Sequence, residues 1–198
     1  RIFAQLWHVG GVSQPDFHGG ALPVGPSAIA AVGEAFTVNG RQTLEAPRAL
    51  TLAELPDVIE QFRRAAVNAK EAGFDGVELH GANGYLLDQF LRDGANHRTD
   101  AYGGSIENRA RLPLEISDAV IGVWGPSRVG YKISPYFSNL GMSDSSPIDT
   151  FSHLAKELGS RRIAYLHVAE AVAGPSVAPD GTIRATPILR RLFGGPVI

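Results

Sequence analysis

Short apolar runs alternate along the chain with longer segments whose apolar residues recur at helical spacing. Residues 2–7 read as a buried strand, and a long Gly/Pro-rich stretch from His8 to about Pro47 follows, with Asn39-Gly40 as a hairpin-turn signal. From about Pro56 to Ala72 the residues Val58, Phe62, Ala65, Ala66 and Ala69 form one helical stripe. Pro56 falls in the first turn, Asp57 and Glu60 lie toward the positive end of the helix dipole, and Gly73 closes the segment. Gly76–His80 is a short strand and Tyr85–Leu91 a helix. After a loop from Asp93 to Gly104, Ser105 opens a further helix to about Trp124, with a bend expected at Pro113, whose ring removes a hydrogen bond. Strand Val129–Ile133, helix Ile148–Leu158, strand Ala164–Ala169, helix Pro187–Phe193 and an apolar terminus Pro196-Val197-Ile198 complete the series.

Strands of about five residues, each followed by a crossover of roughly twenty or more, predict parallel pairing. The choice lies between a doubly wound sheet and an eight-stranded barrel. No Gly-x-Gly-x-x-Gly turn follows the first strand, which weakens the dinucleotide-fold reading. Polar residues gather instead at strand C-termini: Gln5 and His8, His80 and Asn83, Lys132 and Ser134, His167 and Glu170. In a barrel these ends share the face on which active sites are built. The expected fold is therefore a (β/α)8 barrel in which this chain supplies about strands three to seven. Both ends read as falling inside elements, so residues 1–198 are expected to form part of a larger domain with no internal linker.

Composition narrows the chemistry. The 198 residues carry 18 Lys+Arg against 20 Asp+Glu, a formal charge of −2, with no basic block that would favour nucleic acid or a membrane surface. The absence of cysteine removes disulfides, zinc–thiolate sites, iron–sulfur clusters and thiol nucleophiles, so any redox chemistry rests on a bound cofactor. No apolar run has the length of a membrane span and no signal segment opens the chain, which makes a cytoplasmic location the expectation. Oligomeric state is not legible.

Two segments carry a specific resemblance. Phe74-Asp75-Gly76-Val77-Glu78-Leu79-His80-Gly81-Ala82-Asn83-Gly84-Tyr85-Leu86-Leu87-Asp88-Gln89-Phe90-Leu91, continuing into Asn96-His97-Arg98-Thr99-Asp100-Ala101-Tyr102-Gly103-Gly104-Ser105-Ile106-Glu107-Asn108-Arg109, resembles the signature of the old yellow enzyme family, FMN-dependent ene-reductases on a (β/α)8 barrel. Ala4-Gln5-Leu6-Trp7-His8-Val9-Gly10 resembles that family's third strand and Val129-Gly130-Tyr131-Lys132-Ile133-Ser134-Pro135 its fifth, in matching order.

The resemblance implies roles residue by residue. Gln5 would hydrogen-bond the pyrimidine edge of FMN, an edge with both donors and acceptors that a carboxamide can match. His80 and Asn83 would bind the oxygen of the substrate's activating group, two donors on one oxygen that gains negative charge as hydride adds to the β-carbon. Tyr85 would be the proton donor, since a phenol keeps its proton at neutral pH. Lys132 stands where many relatives carry arginine beside the flavin N1–C2=O region; it keeps the positive charge and loses the planar fork. Trp7 would line the substrate pocket. The implied reaction uses NAD(P)H as reductant and an alkene conjugated to a carbonyl or nitro group as the small-molecule substrate. By residue type alone, Gln5, Tyr85 and Trp7 also suit an ordinary barrel core.

Gly11 replaces an arginine frequent in the family and Gln14 a histidine, so a loop salt bridge is expected to be missing. The family's first two strands and its FMN-phosphate loops lie outside these residues. Two other readings stay open: a packed scaffold without flavin, and a metal-dependent barrel enzyme using Glu78, His80, His167 and Glu170. The Gly/Pro/Ala-rich segment Ala171–Thr182, after a strand on the catalytic face, reads as a lid or a solvated loop.

Overall fold

The structure, a computed structural model, describes residues 1–171, 177–179 and 181–198. In chain order the strands are β1 (Phe3–Leu6), β2 (Val24–Gly25), β3 (Glu34–Thr37), β4 (Gly40–Thr43), β5 (Arg48–Ala49), β6 (Gly76–His80), β7 (Val129–Ile133) and β8 (Tyr165–Val168). The helices are α1 (Leu55–Glu71), α2 (Leu86–Leu91), α3 (Ile106–Trp124), α4 (Pro147–Ser160) and α5 (Ala185–Phe193). Among the described residues, no helix is long and apolar enough to cross a membrane.

β1, β6, β7 and β8 form one parallel sheet in that order, each pair separated by a helical crossover. Leu166 also bridges Val197 in parallel, so the apolar terminus lies beside β8 as the sequence predicts. The sheet does not close among the described residues: β1 has its strand partner only on the β6 side. Alternation along each strand sorts the residues into two faces. Leu6, Val77, Leu79, Val129, Tyr131, Ile133 and Leu166 join the core under the helices. The opposite face carries Phe3 and Gln5, Gly76, Glu78 and His80, Gly130 and Lys132, and Tyr165 and His167, aligned by the register Gln5↔Glu78↔Gly130↔Tyr165 and His80↔Lys132↔His167. Gly76 and Gly130 are required here. The rings of Phe3 and Tyr165 lie where their side chains would be, and the two rings, 5.8 Å apart, fill the N-terminal end of this inner face.

The helices follow their stripes. α1 buries Leu55, Val58, Phe62, Ala66 and Ala69, leaving Ala65 half-buried, and packs on α3. Ser105 caps α3 by accepting the Asn108 N–H, and the helix runs continuously through Pro113 to Trp124. The second half of the long signature is framework. Arg109 donates to Leu91 O (2.8 Å), Asn96 to Phe90 O and Tyr102 O, and Arg98 pairs with Asp100.

The stretch between β1 and α1 differs from a plain loop. It holds a parallel pair, β2 with β5, and an antiparallel hairpin, β3 with β4. The hairpin loop is Val38-Asn39, one residue earlier than Asn39-Gly40, because Gly40 (φ 95°) pairs with Thr37 and the Thr37 hydroxyl ties the turn to Asn39 N–H and Gly40 O. Of the expected lid between Ala171 and Thr182, residues 172–176 and 180 lie outside the described residues.

Candidate active site

The turn after β6 is built to be rigid. Gly81 N–H donates to Lys132 O (3.0 Å) on the neighbouring strand, and the Tyr131 ring fills the space beside Gly81, which leaves no room for a Cβ. Asn83 then enters the left-handed region (φ 58°), which Asn tolerates better than bulkier residues, and Gly84 follows at 79°. Each freed backbone group meets a side chain: Asn83 N–H donates to Ser134 Oγ (2.8 Å), Gly84 N–H to Asp88 Oδ2 (2.9 Å), and Gly84 O accepts from Gln89 Nε2 (2.7 Å). Asp88 Oδ1 also accepts from Arg92 Nε (2.8 Å), and the Arg92 guanidinium reaches Phe137 O (3.1 Å) and Ser134 O beyond β7. Both charged side chains are buried.

This turn brings three rings together at the C-terminal end of β1 and β6. The ring of Tyr85 lies 4.7 Å from that of Trp7 and 5.4 Å from that of His80, and Trp7 and His80 are 5.8 Å apart. Trp7 is 54% exposed, whereas His80 is 5% exposed. His80 Nδ1 is buried with no hydrogen-bond partner. Burial, then the positive charge of Lys132 opposite it in register, lowers the His80 pKa to about 4 against the pull of Glu78, so the imidazole is neutral at pH 7. A neutral imidazole has one donor and one acceptor nitrogen, so His80 can offer one N–H.

One layer deeper, Glu78 accepts from Gln5 Nε2 (2.5 Å) and pairs with His167 Nδ1 (3.1 Å). Burial alone would raise the Glu78 carboxyl, but the bonds from His167 and Gln5, with help from Tyr165, bring it below the usual carboxylate range. Gln5 is exposed on the same face, and Lys132 is half-buried on the far side of β6 from it.

The sequence-derived residues thus divide in space. Trp7, His80 and Tyr85 are in mutual contact, and Asn83 lies half-buried on their turn. Gln5 and Lys132 flank β6 on the inner face. The metal grouping does not hold together. Glu170 instead caps α5, accepting from Ala185 N–H (2.7 Å) and Thr186 N–H (3.0 Å), with Arg184 beside it. Gly11 and Gln14 have their own reasons. Pro47 packs where a Gly11 side chain would go, Gly11 N–H donates to Gln89 Oε1, and the buried Gln14 amide holds Gln42 O and Thr43 O. Sequence reasoning missed the clamp of Asp88, Arg92 and Ser134. Its one signal is an acidic and a basic residue four apart in an apolar helical run.

The chain matches the model of the NADH:flavin oxidoreductase / NADH oxidase family over residues 1–198. It is 47% identical over 174 residues to flavin oxidoreductase hxnT of Emericella nidulans, covering 85% of this chain and 44% of that protein. With 12-oxophytodienoate reductase 1 of Oryza sativa subsp. japonica it shares 45% identity over 171 residues, again 85% of this chain and 44% of the relative. Its fold superposes on the old yellow enzyme homologue from Zymomonas mobilis with a TM-score of 0.93 and 41% identity, covering 99% of this chain and 55% of that one. The chain therefore spans about half the length of the relatives it matches, and its sheet is a section of their (β/α)8 barrel.

Proposed function

The chain belongs to the NADH:flavin oxidoreductase / NADH oxidase family, and on that premise we propose that it carries the substrate-activating half of an FMN-dependent ene-reductase site. The observation that carries this reading is His80: neutral and buried, on the same short turn as Asn83 and ringed by Trp7 and Tyr85. The inner face suits a flavin ring, with the Gln5 carboxamide on one side of β6 and the cationic Lys132 on the other. Gln5 would hold the pyrimidine edge and Lys132 would favour added negative charge nearby. Bound FMN, replenished by NAD(P)H, would supply the hydride to the β-carbon of an alkene conjugated to a carbonyl or nitro group. His80 and Asn83 hold the activating oxygen with two donors and so stabilise the charge that grows on it. Tyr85 gives its phenolic proton to the α-carbon, and Trp7 limits what enters. The reducible carbonyl-bearing compound in the name of the rice relative supports this substrate class.

A double-mutant cycle tests the shared oxygen. In the full-length protein, His80→Ala and Asn83→Ala are each expected to weaken a phenol, whose oxygen stands in for the substrate's, by roughly 2- to 10-fold, the worth of one hydrogen bond. Because both donors act on one atom, the double substitution should cost less than the product of the singles, and strict additivity would defeat the assignment.

The pH profile gives a second check. With its pKa lowered to about 4, His80 changes protonation below pH 5 and not near the usual histidine value. Affinity for a non-ionising ketone should therefore show no His80-dependent inflection between about pH 5.5 and 8. An inflection near pH 6.5 that disappears in His80→Ala would contradict a neutral His80.

A further inference from the structure

Glu78 takes no part in the chemistry proposed above, yet it is a buried carboxylate on the inner face of the sheet, directly beside the residue assigned to the flavin. An ionised carboxylate only accepts hydrogen bonds, so the Gln5 group 2.5 Å from Glu78 Oε1 has to be the amide nitrogen. This settles which way the carboxamide faces. One N–H is spent on Glu78, and the carbonyl oxygen and the second N–H are left for whatever meets Gln5 from the open side. The other Glu78 oxygen is held by His167 Nδ1 at 3.1 Å, which anchors the carboxylate itself. Register explains the trio: Gln5 and Glu78 are paired across β1 and β6, and His167, two residues beyond the Tyr165 whose ring fills the space over Gly130, reaches Glu78 from β8 across β7.

Resting on the flavin reading, we propose that Glu78 is a positioning residue for FMN, which fixes the orientation of the Gln5 carboxamide so that its oxygen accepts the N3–H of the pyrimidine ring. Glutamine at position 78 would destroy this control, because two facing carboxamides can pair in either sense and Gln5 could turn its nitrogen toward N3. Aspartate would keep the charge and draw the acceptor back by one methylene, out of reach of Gln5.

The measurement is the dissociation constant of FMN and of N3-methyl-FMN, by flavin fluorescence, for full-length wild type, Glu78→Gln, Glu78→Asp, Gln5→Ala and the double variant Gln5→Ala/Glu78→Gln. Wild type is expected to prefer FMN over the methylated ring by about 3- to 10-fold, one hydrogen bond. In Glu78→Gln and Glu78→Asp that preference should fall to within about twofold, while in the Gln5→Ala background Glu78→Gln should add less than about twofold to either constant. A general loosening of the barrel would weaken both flavins alike and leave the ratio standing, and that result would overturn the proposal, as would an unchanged ratio in whichever Glu78 variant folds. Failure of wild type to take up FMN at all would instead remove the flavin reading on which the proposal stands.

Discussion

Tyr85→Phe is expected to slow alkene reduction by roughly 10²- to 10⁴-fold while leaving flavin reduction by NAD(P)H nearly intact. The substitution is clean because the Tyr85 ring is held by packing, 4.7 Å from Trp7 and 5.4 Å from His80, and phenylalanine keeps that packing. Only the hydroxyl and its proton are lost. His80 cannot take over, since a group with a pKa lowered to about 4 has no spare proton to give at neutral pH. Water can replace part of the transfer, which sets the lower end of the range. Stopped-flow traces of the two half-reactions separate the outcomes: equal loss in both would assign Tyr85 to binding the ring system and not to protonation.

The legible part of this fold is the part whose signal is local. The α1 stripe and its stop at Gly73, the Ser105 cap and the parallel strands follow from periodicity and turn residues within a window of one element. The small sheets between β1 and α1 are not legible. β2 and β5 are two residues each and pair across more than twenty residues of sequence, so no local alternation marks them. Asn39-Gly40 suggests a turn centred on both residues, which puts the hairpin one residue late. Gly40 is instead the first strand residue, with the Thr37 side chain completing the turn.

The site divides in the same way. His80, Asn83 and Tyr85 are visible because one tight turn carries all three, and Asn83-Gly84 announces the positive φ values that bend it. Trp7 joins them only through the β1–β6 register. Glu78 looks like a metal partner of His80 because both point to one side of the strand. Its actual partners, Gln5 and His167, lie 73 and 89 residues away in sequence and are found through strand order alone. Ser134 and Arg92 are hidden for the same reason. Their work is done on backbone groups of another element, and main-chain donors and acceptors leave no trace in residue types.

That hidden clamp carries the largest expected effect on stability. Arg92→Met removes the guanidinium that holds Asp88, Ser134 O and Phe137 O, and leaves a carboxylate in a site without solvent. Breaking a buried pair from one side costs about 3–5 kcal/mol, against about 0–1 kcal/mol for an exposed pair. The urea midpoint of the full-length protein should fall accordingly. Asp88→Asn added to Arg92→Met should restore part of the loss, because a carboxamide at position 88 can still accept the Gly84 N–H without a buried charge. The pH dependence has a definite sign. Burial already pushes the Asp88 carboxyl upward while Arg92 opposes it, so without Arg92 the folded state holds a proton that the unfolded state releases. The single variant then binds more protons folded than unfolded, and its deficit against wild type should shrink as the pH is lowered from 7 toward 5. A loss below about 1 kcal/mol, or a deficit that grows in acid, would mean that the turn carrying His80 and Asn83 is held by something other than this ion pair.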